Sequence, residues 1–415
     1  MRMKVGRNDF CLNQPSSNPS FEKSYFTIKG KKAEEAVQYL AEKTFLTDWC
    51  YTNPKLPDGK EMCDLLIVFD EIVIIWQVKD LKIDKYGKCK QGEVKKNLKQ
   101  LYGAHRQLFE LKTPTELKNP RRGKELFNPA KIKEVYLISA FMGKGKDHFA
   151  FVEEIKNHIV HVFTREFIEI ILNELDTIGD FVDYLRTKEA LVKTDKKLTL
   201  VGGEQELLAF YLMNNRSFDR FKDATMILID EGWWKHLQNR PEYRAKKEAD
   251  KISYCWDGII NRAHEAGLPE YEQVARELAR PNRFERRYLS KVYFDAFLIS
   301  HKDKKYDMFR RISPGKDTTY CFLFMDDPEP REQRKAMLFA ICYIARSKFP
   351  NNKRVLGIAT EKIVRPQCSY DFCLLDKPNW GKKDEERVAQ LQKDIGIFVK
   401  PRIGYTHEDE YPKLK

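Results

Sequence analysis

The sequence predicts an α/β protein in two parts: a mixed sheet flanked by helices over residues 1–195, then an α+β domain over 196–415. Three observations carry this. Two apolar runs, 65–69 and 72–78, lie back to back around Asp70 and Glu71, as in a hairpin. Helical periodicity brackets them, in GKKAEEAVQYLAEKTF before and GEVKKNLKQLYGAHRQLFEL after. Further apolar runs then alternate with helical segments, the order of a layered unit. With 415 residues and 42% hydrophobic side chains, the chain can fill two or three cores.

In order along the chain, the first part opens with an irregular arm through QPSSNPS. From 29 to 45, Ala33, Ala36, Val37, Leu40, Ala41 and Phe45 recur at helical spacing. PKLPDG makes a turn into the hairpin. A basic helix over 92–111 turns Leu98, Leu101, Ala104 and Leu108 to the core, and its Gly103 suggests a close helix contact. A strand at 133–141, a short helix at 149–155, a strand at 158–163 and one helix from Arg165 to about Leu191 complete the unit. The polar VKTDKKLTLVGGEQ places the boundary near 195. Beyond it come a helix at 204–213, several helices to about 300 with the basic RFERRYL at 283–289, and then strand, helix, strand and strand over 318–376.

Composition narrows the function. Nine cysteines with no CxxC pair fit free thiols in a reducing compartment and offer no zinc ribbon. No run approaches the roughly 18 apolar residues that cross a bilayer, and the N-terminus lacks a signal-peptide core. The expectation is a cytoplasmic protein without a membrane partner. A net charge of +13 favours a polyanionic partner. The basic residues concentrate after the hairpin, at KCK (88–90), Lys95, Lys96, Lys99, Arg106 and RRGK (121–124), and the helical ones are the candidate DNA-binding residues.

The ends of the hairpin carry the candidate chemistry. With an even loop at Asp70 and Glu71, Asp64 faces Gln77, and Gln77 and Lys79 share one side of the sheet. A carboxylate, an amide oxygen and a backbone carbonyl suit a hard divalent cation, so Asp64, Gln77 and the Val78 carbonyl are the candidate metal ligands, for magnesium or manganese. Lys79 beside them can orient water or stabilise charge developing on a phosphate. Glu34 or its neighbour Glu35 is positioned to add an acid from the preceding helix, and Glu61 is a further one. His158 and His161, three apart on a strand, point to opposite faces and make poor co-ligands. The Glu361-Lys362 pair after a later strand imitates part of this pattern without a preceding aspartate hairpin.

These residues, Glu34 with Val37 after it, Asp64, and Gln77-Val78-Lys79, resemble the PD-(D/E)xK nuclease superfamily, in particular its Mrr-like branch, where glutamine stands in the place of the commoner acid. The resemblance covers residues 25–110 with a continuation to 165. It implies a restriction-endonuclease-like fold and a metal-dependent endonuclease acting on DNA. By it, Glu34 corresponds to the acid of the first helix, Asp64 to the metal-binding aspartate, Gln77 to the variable ligand and Lys79 to the catalytic lysine. Cys63 stands where the family often has proline. Two-domain chains of this kind look like bacterial anti-phage effectors, including the nuclease type of CBASS and Lamassu systems. That analogy implies an oligomer or a subunit of a defence complex, restrained by its C-terminal domain or a partner. A catalytically inactive binding protein on the same fold and an RNA-directed nuclease remain the alternatives.

Overall fold

The computed structural model describes residues 33–56, 58–81, 91–111, 114–142, 151–302, 307–325, 331–362, 368–399 and 401–413. The N-terminal arm, residues 29–32 and the KCK at 88–90 lie outside the described residues. The chain is mixed α/β and divides between Arg244 and Ala245 into two compact units.

The first unit opens with α1 (Ala33–Phe45), β1 (Cys50–Thr52), β2 (Leu65–Phe69), β3 (Ile72–Lys79), α2 (Gln91–Phe109), β4 (Glu116–Asn119), β5 (Gly123–Leu126) and β6 (Glu134–Phe141). It continues through β7 (Val152–Ile155), β8 (His158–Thr164), α3 (Arg165–Glu174), α4 (Ile178–Val192), β9 (Lys197–Leu200), α5 (Glu204–Met213), β10 (Met226–Ile229) and α6 (Trp233–Asn239). The division falls within α7 (Pro241–Asp250).

Six strands form one sheet in the order β1-β2-β3-β6-β8-β7. The β2–β3 hairpin has the expected register, from Leu65 opposite Trp76 to Phe69 opposite Ile72. Asp70, at the turn, takes the left-handed conformation with φ of 51°. From β3 outward the pairing changes: β3 runs parallel to β6 and β6 parallel to β8, while β7 returns antiparallel. Period-two alternation splits the strand residues between two cores. Leu66, Val73, Ile75 and Leu137 pack under Val94, Leu98, Leu101 and Leu108 of α2. On the other face Trp76 meets Phe163 and the α4 residue Phe181, whose ring lies 5.0 Å from Phe45 of α1. Helices therefore cover both sides.

Three expectations need correction. The segment read as a short helix at 149–155 contains β7, paired with β8 across a turn in which Lys156 and Asn157 both have positive φ, 51° and 64°. That is the backbone of a two-residue hairpin turn. The single helix from Arg165 to Leu191 is two helices, because the Thr177 side chain caps α4 by accepting from the Asp180 N–H at 3.1 Å. Gly103 does not mark a close approach, since nothing lies within 4 Å of where a Cβ would stand.

The unit also extends past residue 195. Lys188 of α4 and Glu204 of α5 are both buried and share a 2.6 Å ion pair, and Tyr184 and Tyr211 pack edge to face at 5.3 Å. Those contacts hold α5 to the sheet-covering helices.

The second unit contains α8 (Tyr254–Glu265), α9 (Pro269–Ala279), α10 (Arg283–Lys302), β11 (Met308–Pro314), β12 (Thr318–Met325), α11 (Glu332–Lys348), β13 (Arg354–Glu361), β14 (Asp371–Asp376) and α12 (Lys382–Ile395). Its sheet has the order β11-β12-β13-β14, with β12 and β13 parallel on either side of the α11 connection. The expected strand, helix, strand, strand series is present; β11 adds an antiparallel edge.

Candidate active site

One step beyond the last β2–β3 pair, the ladder brings Asp64 and Gln77 together. Gln77 Nε2 donates to Asp64 Oδ2 at 2.5 Å, and the Val78 N–H donates to the same oxygen at 2.5 Å. With its nitrogen committed to Asp64, the Gln77 amide keeps its oxygen as the remaining acceptor. Alternation places Gln77 and Lys79 on the face of Val73 and Ile75, beneath α2. Lys79 is partly exposed, and its Nζ lies 3.2 Å from Oε2 of Glu93 in the first turn of α2.

A buried polar chain sets this arrangement. Asn97 Nδ2 donates to the Gln77 carbonyl at 3.4 Å, and Ser139 Oγ of β6 donates to Asn97 Oδ1 at 2.6 Å. Asn97 and Ser139 are completely buried, so their bonds fix how α2 lies over β3 and β6. Glu93 stands one turn before Asn97, and the same contacts hold it over Lys79. On the other side the Asn53 N–H donates to the Asp64 carbonyl at 3.0 Å. Turned with its nitrogen inward, the Asn53 amide also reaches that carbonyl and Glu61 Oε1, each at 2.8 Å. Glu61 is thereby tied to Asn53 at the strand entry.

α1 covers the opposite face of the sheet and buries Val37, Ala41 and Phe45. Glu35 is exposed, and the side chain of Glu34 lies outside the described residues. Lys95, Lys96, Lys99 and Arg106 are all exposed. At 3.6 residues per turn they fall within an arc of about 100° on the side of α2 away from the sheet. His158 and His161 do diverge: His158 turns toward α2, while His161 is buried on the other face with Nε2 3.2 Å from Glu189 Oε1. Burial, above all, pushes the His161 pKa down to about 4.

Sequence reasoning missed Glu93. Its signal was an acid at the start of an otherwise basic helix, where it complements the positive helix N-terminus. As donors, the Asp64 carboxylate, the Gln77 amide oxygen and the Val78 carbonyl are all hard oxygens. They fit magnesium or manganese better than a soft metal. Comparison with protein-family models, with curated proteins and with solved structures finds no match.

Proposed function

We propose that this chain is a metal-dependent endonuclease of the PD-(D/E)xK type, on a restriction-endonuclease-like fold, that hydrolyses DNA phosphodiester bonds. The observation that carries this reading is the β2–β3 register, which sets Asp64 against Gln77 with Lys79 one step further on the same face. The exposed cationic stripe of α2, which starts two residues beyond Glu93, supports a nucleic-acid backbone as the substrate.

Asp64, Gln77 and Val78 would hold a Mg²⁺ or Mn²⁺ ion. Such an ion supplies charge neutralisation at the phosphate and a more acidic water. Lys79, kept in place by Glu93, donates to the attacking water or to the phosphate oxygen that gains charge. The water oxygen forms a bond to phosphorus, the bond to one ester oxygen breaks, and a proton passes to that leaving oxygen. Glu93, beside Lys79, is the acid that accepts the proton released by water. Gln77 contributes no charge of its own, so Asp64 is the one anion on the two catalytic strands of this ligand set.

The nuclease is read as a cytoplasmic anti-phage effector, assembled as an oligomer or in a defence complex and restrained by its C-terminal part or a partner. This rests on the resemblance and on the lack of a base-reading motif in residues 1–195. A backbone-directed activity with no sequence filter needs external restraint. Among the described residues no helix is long and apolar enough to cross a membrane.

The test is incubation with plasmid, linear DNA and RNA, in Mg²⁺ or EDTA. Mg²⁺-dependent DNA cleavage should be lost by at least ~100-fold in Asp64→Ala and Lys79→Ala; thermal stability should be nearly unchanged in Lys79→Ala, whereas Asp64→Ala leaves the Gln77 amide and the Val78 N–H without their acceptor and should cost about 1–3 kcal/mol. Activity retained in both variants overturns the assignment. Cleavage of RNA alone selects the RNA-directed alternative, and nucleic-acid binding without cleavage selects the inactive one.

A further inference from the structure

A second group of metal-ligating side chains lies at the other end of α2. Lys79 pairs with Phe141, and Phe141 with Thr164, so the C-terminal ends of β3, β6 and β8 lie together. His158 opens β8 and therefore belongs to the opposite end of the sheet. Twelve residues separate Glu93 from His105, about 18 Å along the helix axis.

There His105, Glu110 and His158 present ligand atoms that all lie within 4.8 Å of one another. His105 Nδ1 is 3.6 Å from Glu110 Oε1, and the rings of His105 and His158 are 4.2 Å apart. His105 is 8% exposed, and its buried Nδ1 has no hydrogen-bond partner. The Tyr102 hydroxyl donates to Glu110 Oε1 at 3.3 Å, and the Tyr102 ring stacks on His105 at 6.2 Å.

We propose that His105, Glu110 and His158 form a site for a divalent transition-metal ion of the zinc type, separate from the oxygen-lined group at Asp64. A tetrahedral zinc with bonds near 2.0–2.1 Å sets its ligand atoms about 3.4 Å apart. The His105–Glu110 pair is close to that spacing, and Glu110, on the exposed helix end, can rotate to close the rest. Two imidazoles and a carboxylate suit zinc, whereas magnesium takes oxygen ligands. The ion gives the buried Nδ1 of His105 a partner. Tyr102 acts as a positioning residue through its hydrogen bond to Glu110. Three protein ligands leave a fourth position for water on the exposed side. Bound there, the ion clasps the end of the cationic helix to the β7–β8 hairpin, next to Arg106.

The experiment uses the full chain carrying Asp64→Asn, stripped with EDTA and titrated with Zn²⁺ in excess Mg²⁺, then separately with Co²⁺. The expected result is about one equivalent of tightly held Zn²⁺, and visible Co²⁺ bands of tetrahedral nitrogen and oxygen ligation. Affinity should fall at least ~10-fold in His158→Gln and in Glu110→Gln, and less in Tyr102→Phe. Far-ultraviolet circular dichroism reports folding of each variant. If His158→Gln does not fold, the exposed Glu110→Gln and the Co²⁺ spectrum of the parent decide the matter. Zn²⁺ binding far below one equivalent, affinity unchanged in Glu110→Gln, or a Co²⁺ spectrum made only of thiolate charge-transfer bands overturns the site. Because binding is read without cleavage, its failure is distinct from failure of the nuclease assignment.

Discussion

Two helices with runs of basic residues put their charge to opposite uses. α2 turns Lys95, Lys96, Lys99 and Arg106 to solvent, whereas α10 buries Arg283, Arg286 and Arg287. Within the second unit Asp257 accepts from Arg283 Nη1 at 2.9 Å and from Arg286 Nη1 at 2.7 Å. Arg286 also donates to the carbonyls of Pro281 and Ala279, at 2.9 and 2.6 Å. Arg287 donates to Asp250 at 3.1 Å and to the Asp409 carbonyl at 2.5 Å. A planar guanidinium can satisfy several acceptors at once inside a protein, while a lysine ammonium stays hydrated. Basic composition therefore points to a polyanion only where the charge is left to solvent.

The same contrast divides the two strand ends that look alike in sequence. Gln77-Val78-Lys79 ends with a partly exposed lysine. Glu361 and Lys362, at the end of β13, are buried. Glu361 accepts from the Ser369 N–H at 3.0 Å, and the buried Arg334 donates to Asp371 at 2.6 Å and lies 3.5 Å from Glu361. The charges of Glu361, Arg334 and Asp371 answer one another.

The largest expected effect breaks the α10 side of the comparison. Arg286→Ala leaves Asp257 and two carbonyls short of a buried donor, which should destabilise the second unit by about 3–5 kcal/mol. Thermal unfolding measures it, with the salt dependence of DNA binding unchanged at temperatures where the protein stays folded. A stability loss no larger than that of a surface lysine variant would show that the buried arginines are not structural.

The hairpin register was legible because an even loop and strict alternation leave little freedom over two short apolar runs. Asp64, Gln77 and Lys79 followed from it. Glu93 and the His105–His158 pairing were not legible, since each depends on how α2 lies across the sheet. That placement is fixed by Asn97 and Ser139, two polar residues that carry no periodic signal. The β7 strand is only Val-Glu-Glu-Ile, too short and acidic to read as sheet without its partner. The turn at Lys156 and Asn157 was a usable clue, as was the Thr177-x-x-Asp180 cap that splits the helix after β8. The boundary was misplaced because the polar stretch near 195 is followed by α5, whose Glu204 returns to Lys188.

A smaller effect separates the two units by their response to acid. His161 faces Glu189 and Lys188 of α4, Lys193 just past its end and the Tyr136 ring on β6. Its folded pKa of about 4 lies below the ordinary value, so between pH 6.5 and 4 the unfolded chain binds a proton that the folded one refuses. Stability of the first unit should thus fall as pH drops through that window, by up to about 3 kcal/mol. In metal-free protein His105, also lowered by burial, acts in the same direction. In the second unit burial pushes Glu361 up, but hydrogen bonds from Ser369 and the charge of Arg334 bring it below the ordinary carboxylate value. Its contribution is present above that value and is lost only as pH falls further. Hydrogen exchange at pH 7, 5.5 and 4.5 in EDTA should show β8 and α4 losing protection before β13 and β14. Simultaneous loss in both units would remove His161 as the cause.

The smallest effect sharpens the α2 side. If the exposed stripe tracks a DNA backbone, Lys96→Gln removes one phosphate contact and one released counterion, and the slope of log affinity against log salt should flatten by about 0.9 for duplex DNA. Over a fourfold change in salt, from 50 to 200 mM, that alters the fold-change in affinity by only about 3.5. The loss should be equal for unrelated sequences, because a phosphate contact carries no base information. Fluorescence anisotropy in EDTA, which prevents cleavage, gives the slope directly. Combining Lys95→Gln, Lys96→Gln and Lys99→Gln should flatten it by nearly three times as much, provided all three touch the backbone. Since these side chains point away from both cores, stability should stay within about 0.5 kcal/mol. A slope unchanged in the triple variant assigns the stripe to hydration alone and moves the search for the DNA-binding surface off α2.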